Sequence, residues 1–217
     1  MGINLLIIHN LLVFHTDYYL NNQIKFDKPN FKYAVFIDNY FPFHSDPKRV
    51  GKQARENPDI YYPELCKFFN TVTHKTGYEI IIAAHPRSNY DTLPDYFGGR
   101  RLIKNKTNDL IQNCEFVIMH VSASITLPIL YSKPIIFITT QRLNKTKFKN
   151  VIPTYAKLIG KKPINISKKV YTLDFNKELI VNDNKYNIYI NDYIKKSGTQ
   201  ELPYWEIVSN QLIELSY

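Results

Sequence analysis

Cysteine is scarce in this chain, and its two cysteines form no recognised motif. They are Cys66 and Cys114 in a chain of 217 residues, and neither belongs to a CxxC pair. The spacing indicates neither a zinc site nor a disulfide framework, so we expect two buried free thiols in a reducing compartment. An Asp-x-Asp metal motif is missing as well. We therefore expect neither a metal ion nor any other cofactor.

The sequence also lacks a strong membrane or secretion signal. The apolar segment Leu5–Phe14 is too short to span a bilayer, and His9 and Asn10 interrupt it. It has neither the basic start nor the small-residue cleavage site of a signal peptide. We expect residues 1–30 to pack against this domain, a second chain or another domain, and we expect the protein to be cytoplasmic.

Acidic residues are outnumbered, with 19 Asp and Glu against 28 Lys and Arg and a net charge of +9. This imbalance favours anionic partners such as a nucleotide phosphate, nucleic acid or an anionic membrane. The basic residues are scattered, which fits a generally basic surface better than a nucleic-acid groove, so we expect no nucleic-acid partner. Lysines between Lys145 and Lys169 are expected to hold the protein reversibly at the inner membrane face.

Residues 31–217 alternate between strand-like and helix-like segments, without an internal repeat or a long linker. The predicted strands are Lys32–Asn39, Tyr78–His85, Arg100–Lys104, Phe116–Val121 and Pro134–Thr140. The first predicted helix begins at Asp59 or Pro63 and runs to about Lys75, and the others are Asn108–Asn113, Ile125–Tyr131, Tyr186–Lys196 and Pro203–Leu215. Such alternation is typical of one α/β domain, a Rossmann-like parallel sheet with helices on both faces.

The strand Tyr78–His85 ends in the first candidate site. Ile80–Ala84 is apolar throughout, as in a central strand covered by helices. Pro86 stops the strand because proline cannot donate to a sheet ladder. His85 and Arg87 are thereby placed at the carboxyl edge of the sheet, where open α/β folds bind ligands. The alternative is an ordinary strand end with a solvated His and Arg.

A second junction, Met119–Ile125, leads from a buried strand into a helix. Ser122 and Ser124 stand at the predicted helix start, where hydroxyl side chains commonly cap free backbone N–H groups. The same position after a parallel strand favours an anion, because N–H groups and the positive dipole end point outward. His120, within the strand, is expected to be an interior histidine with its hydrogen bonds satisfied.

Taken together, the two junctions resemble the donor-binding half of GT-B glycosyltransferases, in particular bacterial sialyltransferases and Kdo transferases. His85 and Pro86 correspond to the HP motif of that family, and Ser122 and Ser124 stand where its serine pair lies. The resemblance covers roughly Tyr33–Thr140. Three departures from the family are clear. The serines are not adjacent, and the acidic motif of two acids and a glycine is missing. GT-B enzymes have two Rossmann-like domains that face a cleft, whereas one such domain is recognised in this sequence.

The resemblance implies a transferase that uses a nucleotide-sugar donor, with CMP as the nucleotide and a sialyl- or Kdo-type sugar. The acceptor would be a glycan or a lipid-linked glycan in bacterial capsule or lipo-oligosaccharide synthesis. By resemblance, His85 and Arg87 would balance the donor phosphate. Ser122 and Ser124 would bind its oxygens, with Pro86 shaping the turn.

The base that activates the acceptor hydroxyl is expected at the end of the first strand or in the loop Tyr40–Asn57. Asp38 and His44 are the candidates, and prolines and charges in the loop predict a mobile flap over the site. Two other functions remain open. One is a UDP-sugar 2-epimerase-like enzyme, and the other is a non-catalytic module that docks to a nucleotide sugar, a membrane or a partner enzyme.

Overall fold

The computed structural model describes residues 30–49, 51, 53–168 and 173–215, and a parallel sheet forms its centre. The strands are β1 Tyr33–Ile37, β2 Glu79–Ala84, β3 Leu102–Lys104, β4 Val117–Met119, β5 Ile135–Thr139 and β6 Ile164–Asn165. Their order in the sheet is β3-β2-β1-β4-β5-β6, and all neighbours run parallel. The order reverses between β1 and β4, and the predicted Rossmann-like α/β fold is confirmed.

Helices connect the strands. They are α1 Ser45–Arg49, α2 Pro58–Thr76, α3 Thr107–Asn113, α4 Thr126–Leu130, α5 Phe148–Leu158, α6 Phe175–Glu178, α7 Asp183–Tyr189 and α8 Tyr204–Glu214. The chain steps one way from β1 to β2 and the other way from β4 to β5. Because parallel crossovers are right-handed, their helices cover opposite faces of the sheet. Every residue of β1 and β5 is accordingly buried.

Helix α2 shows why the sequence folds locally as it does. Asn57 caps its start by accepting a hydrogen bond from Asp59 N at 2.9 Å, and Pro58 occupies the first turn. Gly77 ends it at a φ of 73°, a left-handed conformation that glycine adopts without strain. The buried stripe of the helix is Tyr61, Tyr62, Leu65, Phe68, Phe69 and Val72.

Several predicted boundaries differ from the structure. The helix predicted at Ile125–Tyr131 is a 3-10 turn, Ala123–Ile125, followed by the short α4. The helix predicted to begin at Asn108 is α3, and it begins at Thr107. The loop Tyr40–Asn57 contains α1, and it begins with two buried aromatic side chains, so its first part packs into the core.

The carboxyl-terminal helices lie at the surface. In the last helix, α8, Ile207 is buried, whereas Trp205, Leu212 and Ile213 are exposed. The predicted helix Tyr186–Lys196 is α7 followed by a π turn, Ile190–Ile194. Within the described ranges, no helix is long and apolar enough to cross a membrane. The segment Leu5–Phe14 falls outside the described residues.

Candidate functional site

The polar residues predicted at strand ends do meet at the carboxyl edge of the sheet. Asp38 follows β1 and His85 follows β2, which are neighbouring strands. The loop after β1 carries His44 back to the same place, so that the two imidazole rings lie 5.0 Å apart between centroids. Arg87 Nη1 lies 3.3 Å from Asp46 Oδ1 beside them. We call His44, Asp46, His85 and Arg87 the histidine cluster.

Asp38 lies beneath this cluster rather than in it. Its side chain is 3% exposed, and its oxygens accept from Tyr40 N at 2.8 Å, His85 N at 3.3 Å and Tyr90 Oη at 2.9 Å. Burial raises the pKa of Asp38 to about 6, and the three donors oppose that rise. A carboxylate so enclosed orients the backbone of His85, and this geometry favours a positioning role over contact with a substrate.

The turn after Asp38 is held in an uncommon backbone conformation. Tyr40 has a φ of 53°, which costs a non-glycine residue about 1–3 kcal/mol. Its carbonyl accepts from Phe43 N at 3.0 Å and from His44 N at 2.7 Å. Its ring stacks on His85 with an interplanar angle of 14°. These contacts hold the turn in place and carry His44 back over β1.

The Nδ1 atoms of the two histidines make the same kind of hydrogen bond, each accepting from the backbone N–H two residues later. His85 Nδ1 accepts from Arg87 N at 3.1 Å, so the neutral ring carries its proton on Nε2. His44 Nδ1 likewise accepts from Asp46 N at 3.2 Å, so its neutral ring also carries the proton on Nε2, and Asp46 Oδ2 lies 3.6 Å from the same nitrogen. Burial lowers the pKa of both rings; for His85 the neighbouring His44 and Arg87 lower it further, and for His44 the arginines nearby add to the lowering while Asp46 opposes it. Both rings are therefore neutral at pH 7, and His85 Nε2 is a hydrogen-bond donor.

The arginine of the cluster is available to an anion. The side chains of Arg87 and Asp46 are 62% and 50% exposed, and their ion pair is the one Arg87 makes among the described residues. Exposed ion pairs are worth about 0–1 kcal/mol, because solvent screens them. An anion that approached Arg87 would therefore have only a weak ion pair to displace.

The serine junction, Ser122 and Ser124, follows β4, which is the neighbour of β1 on the side away from β2. Ser122 accepts from Ser124 N at 3.2 Å, which is the capping interaction expected of a helix start. Because α4 has only five residues, the dipole predicted to favour an anion here is small. Within the described part of the chain, neither hydroxyl proton has an acceptor. Ser122 is thus confirmed as a cap, here of the 3-10 turn Ala123–Ile125, and the hydroxyls of both serines remain able to donate.

Asn39 connects the two junctions, and the sequence argument did not assign it a role. Its Nδ2 donates to Val121 O at 2.8 Å, which ties the end of β1 to the end of β4. Its Oδ1 is buried without a hydrogen-bond partner in the described structure. A buried acceptor left unsatisfied is costly, so this atom favours a ligand or water that donates to it. The sequence feature that could have indicated this role is an amide side chain directly after the first predicted strand.

A cavity of about 290 Å³ lies between the end of β2 and residues 88–97. Its lining combines apolar side chains and the rings of Tyr90, Tyr96 and Phe97 with polar residues, which are Ser88, Asp91, Asp95 and Lys104. Tyr90 is shared between the cavity and Asp38, because its ring lines the one and its hydroxyl donates to the other. The sequence argument treated this segment only as a loop.

His120 has the interior role that the sequence predicts. It is fully buried, with Nδ1 2.9 Å from Ile138 O and Nε2 2.9 Å from Tyr61 Oη. Burial lowers its pKa to about 3, and the ring is neutral. Of the cysteines, Cys114 is buried and Cys66 is half-buried, and both are free. No group of three or more His, Cys, Asp or Glu side chains in the described ranges is arranged to hold a metal ion.

Comparison with known proteins gave structural matches only. No protein-family model matches the chain, and no curated protein is similar to it. The glycosyltransferase SnogD from Streptomyces nogalater matches with a TM-score of 0.48 at 8% identity, over 85% of this chain and 45% of that one. KpsC of Thermosulfurimonas dismutans, a beta Kdo 2,7 transferase, matches with a TM-score of 0.43 at 12% identity, over 100% and 64% respectively. The chain thus spans less than two thirds of either, and identities this low carry no inference about activity.

Proposed function

We propose that this protein is a glycosyltransferase that binds a CMP-linked sugar, of sialyl or Kdo type, for bacterial surface polysaccharide or lipo-oligosaccharide synthesis. The observation that carries the proposal is the position of Tyr90. Its ring lines a cavity suited to a planar base, and its hydroxyl holds Asp38 beneath His85. A site for an aromatic ring therefore adjoins a donor for a phosphate, at the edge of the sheet where ligands bind.

In this proposal the donor phosphate lies over the end of β1. The ends of β2 and β4 are two strand spacings apart, about 10 Å at roughly 4.8 Å per strand. His85 Nε2–H donates from one side, and the hydroxyls of Ser122 and Ser124 donate from the other. Arg87 offsets the charge that grows on the phosphate as its bond to the sugar breaks.

The acceptor hydroxyl loses its proton as it attacks the sugar, and His44 is the base that the geometry supports best. For this role the ring proton moves from Nε2 to Nδ1, where Asp46 Oδ2 at 3.6 Å accepts it in place of the bond from Asp46 N, and Nε2 then carries a lone pair for the hydroxyl proton. Asp38 orients the turn below it. A second domain, beyond the half of the site described here, contributes the acceptor side in this proposal.

The proposal is tested by calorimetric titration of the protein with CMP, CDP, UDP and GDP. We expect CMP to bind most tightly, and His85→Ala to weaken its binding by about tenfold or more, since a hydrogen bond to a charged group is lost. The melting temperature should stay near that of the parent, because a side chain at a strand end carries little of the core. His74→Ala, an exposed histidine in the last turn of α2, is the matched control.

The remaining outcomes separate the alternatives. A preference for UDP would favour the 2-epimerase-like enzyme over the CMP-dependent transferase. No response to any of the four nucleotides would favour a docking module. Unchanged CMP affinity in folded His85→Ala would make that histidine structural.

A further inference from the structure

A second cavity lies at the same edge of the sheet, beyond β5 and β6. Its volume is about 270 Å³, and we call it the β5–β6 cavity. Glu56 and Thr140, both buried, form part of its lining together with Glu64 and Ser167. Arg142 and Lys145 are the exposed cations at its mouth. None of these residues takes part in the histidine cluster or in the aromatic cavity.

The hydrogen bonds inside this cavity use the hydroxyl donors of Thr140 and Ser167 and leave acceptor positions on two carboxylates unused. Thr140 donates its hydroxyl proton to Glu56, and Ser167 donates its own to Glu64 Oε2 at 2.6 Å. Each of these hydroxyl oxygens also accepts a backbone N–H, at 3.0 Å and 2.9 Å. A carboxylate accepts about four hydrogen bonds, so Glu56 and Glu64 keep free lone pairs. A ligand that fits must therefore bring several donors.

Two classes of ligand bring such donors, namely cations and molecules rich in hydroxyl groups. The cations Arg142 and Lys145 at the mouth balance the two carboxylates and oppose the entry of another cation. Burial also raises the pKa of Glu56, which weakens its attraction for a cation. The lining therefore selects hydroxyl groups.

We propose that the β5–β6 cavity binds the hydroxyl groups of the donor's sugar ring, an inference that rests on the proposed function. Cavities that enclose a whole drug-sized ligand span about 300–1,000 Å³, so this one is sized for a single ring. The end of β5 lies one strand beyond β4, roughly 5 Å further along the edge. When the phosphate of a nucleotide sugar lies over β1 and β4, the sugar ring attached to that phosphate reaches the cavity.

The test compares the affinity for CMP with that for CMP-N-acetylneuraminic acid, and the affinity for UDP with that for UDP-N-acetylglucosamine, by calorimetry. The quantity of interest is the ratio of the dissociation constants of each bare nucleotide and its sugar-linked form. We expect a ratio of about ten or more for one of the pairs in the parent, because the sugar adds hydrogen bonds to charged acceptors. Glu56→Gln and Glu64→Gln should each reduce this ratio severalfold and leave the affinity for the bare nucleotide unchanged.

The control is Glu79→Gln, which makes the same chemical change at the exposed amino end of β2 and should leave the ratio unaltered. A ratio that is unchanged in folded Glu56→Gln and Glu64→Gln would overturn the sugar site while the nucleotide site stands. Weakened binding of the bare nucleotide in these variants would place the nucleotide itself in the β5–β6 cavity and overturn the assignment. If the parent binds none of the four probes, the proposed function and this inference both fall.

Discussion

Replacing Tyr90 with phenylalanine removes one hydroxyl group from the centre of the candidate site. That hydroxyl donates to Asp38 Oδ2 at 2.9 Å and lies 3.0 Å from Tyr62 Oη. The ring itself stays, with its edge-to-face contacts to Tyr40 and Phe97. The variant therefore tests the support beneath His85 without emptying the aromatic cavity.

The expected loss follows from the charge on the acceptor. A hydrogen bond to a charged group contributes about 1.5–3 kcal/mol to stability. In a domain of this size each kcal/mol moves the melting temperature by about 2–4 °C, so Tyr90→Phe should lower it by roughly 3–12 °C. The affinity of the protein for the nucleotide should also fall, because the Asp38 carboxylate that accepts from the backbone N–H of His85 is then less well fixed.

The loss should depend on pH in a defined direction. The pKa of Asp38 rises from 3.8 to about 6 on folding, so its burial as a carboxylate costs stability as the pH rises through that window. Above pH 6 the Tyr90 hydroxyl donates to a charged oxygen and offsets part of this cost. Below pH 6 the carboxyl is protonated and the same bond is worth about 0.5–1.5 kcal/mol. Tyr90→Phe should therefore be more damaging at pH 8 than at pH 5.

Urea denaturation at pH 5 and pH 8 measures both effects. Tyr193→Phe is the matched control, because that ring is 44% exposed and its hydroxyl makes no hydrogen bond in the described structure. The reasoning is refuted if Tyr90→Phe and Tyr193→Phe are equally stable at pH 8, or if the loss in Tyr90→Phe is no smaller at pH 5.

Three further predictions concern the fold, the loop after β1 and the surface charge. Gly77→Ala should cost about 1 kcal/mol in urea denaturation, because its φ of 73° is strained for alanine although the space around it is open; an unchanged midpoint would contradict this. Limited trypsin digestion should cut the loop between residues 44 and 57 in the free protein and be slowed by CMP, and equal cleavage rates would remove the flap. The net charge of +9 should make the protein sediment with anionic vesicles at low salt and leave them near about 0.5 M salt; no binding at low salt would exclude the membrane as a partner.

Local pattern was enough to predict the sheet and one side of the site. The apolar run Ile80–Ala84 stops at Pro86, and this alone predicts a central strand with His85 at its end. Serine before a helical segment likewise predicts the cap at Ser122. Both features depend on backbone chemistry within a few residues, namely the missing N–H of proline and the free N–H groups of a helix start, and such chemistry is legible in the chain itself.

The sequence by itself determined the α/β architecture, the strand ends and the interior place of His120. Apolar periodicity and the prolines and glycines that end strands and helices can be recognised within a few neighbouring residues. The tertiary structure alone decided that Asp38 is buried under His85, that Tyr90 joins it to an aromatic cavity, and that Glu56 meets Thr140 across a gap of 84 residues. These contacts depend on strand order, which places β1 between β2 and β4. The strand order and the packing of the loops over the sheet decide which side chains share a cavity. Neither the strand order nor the loop packing leaves a periodic signal in the sequence.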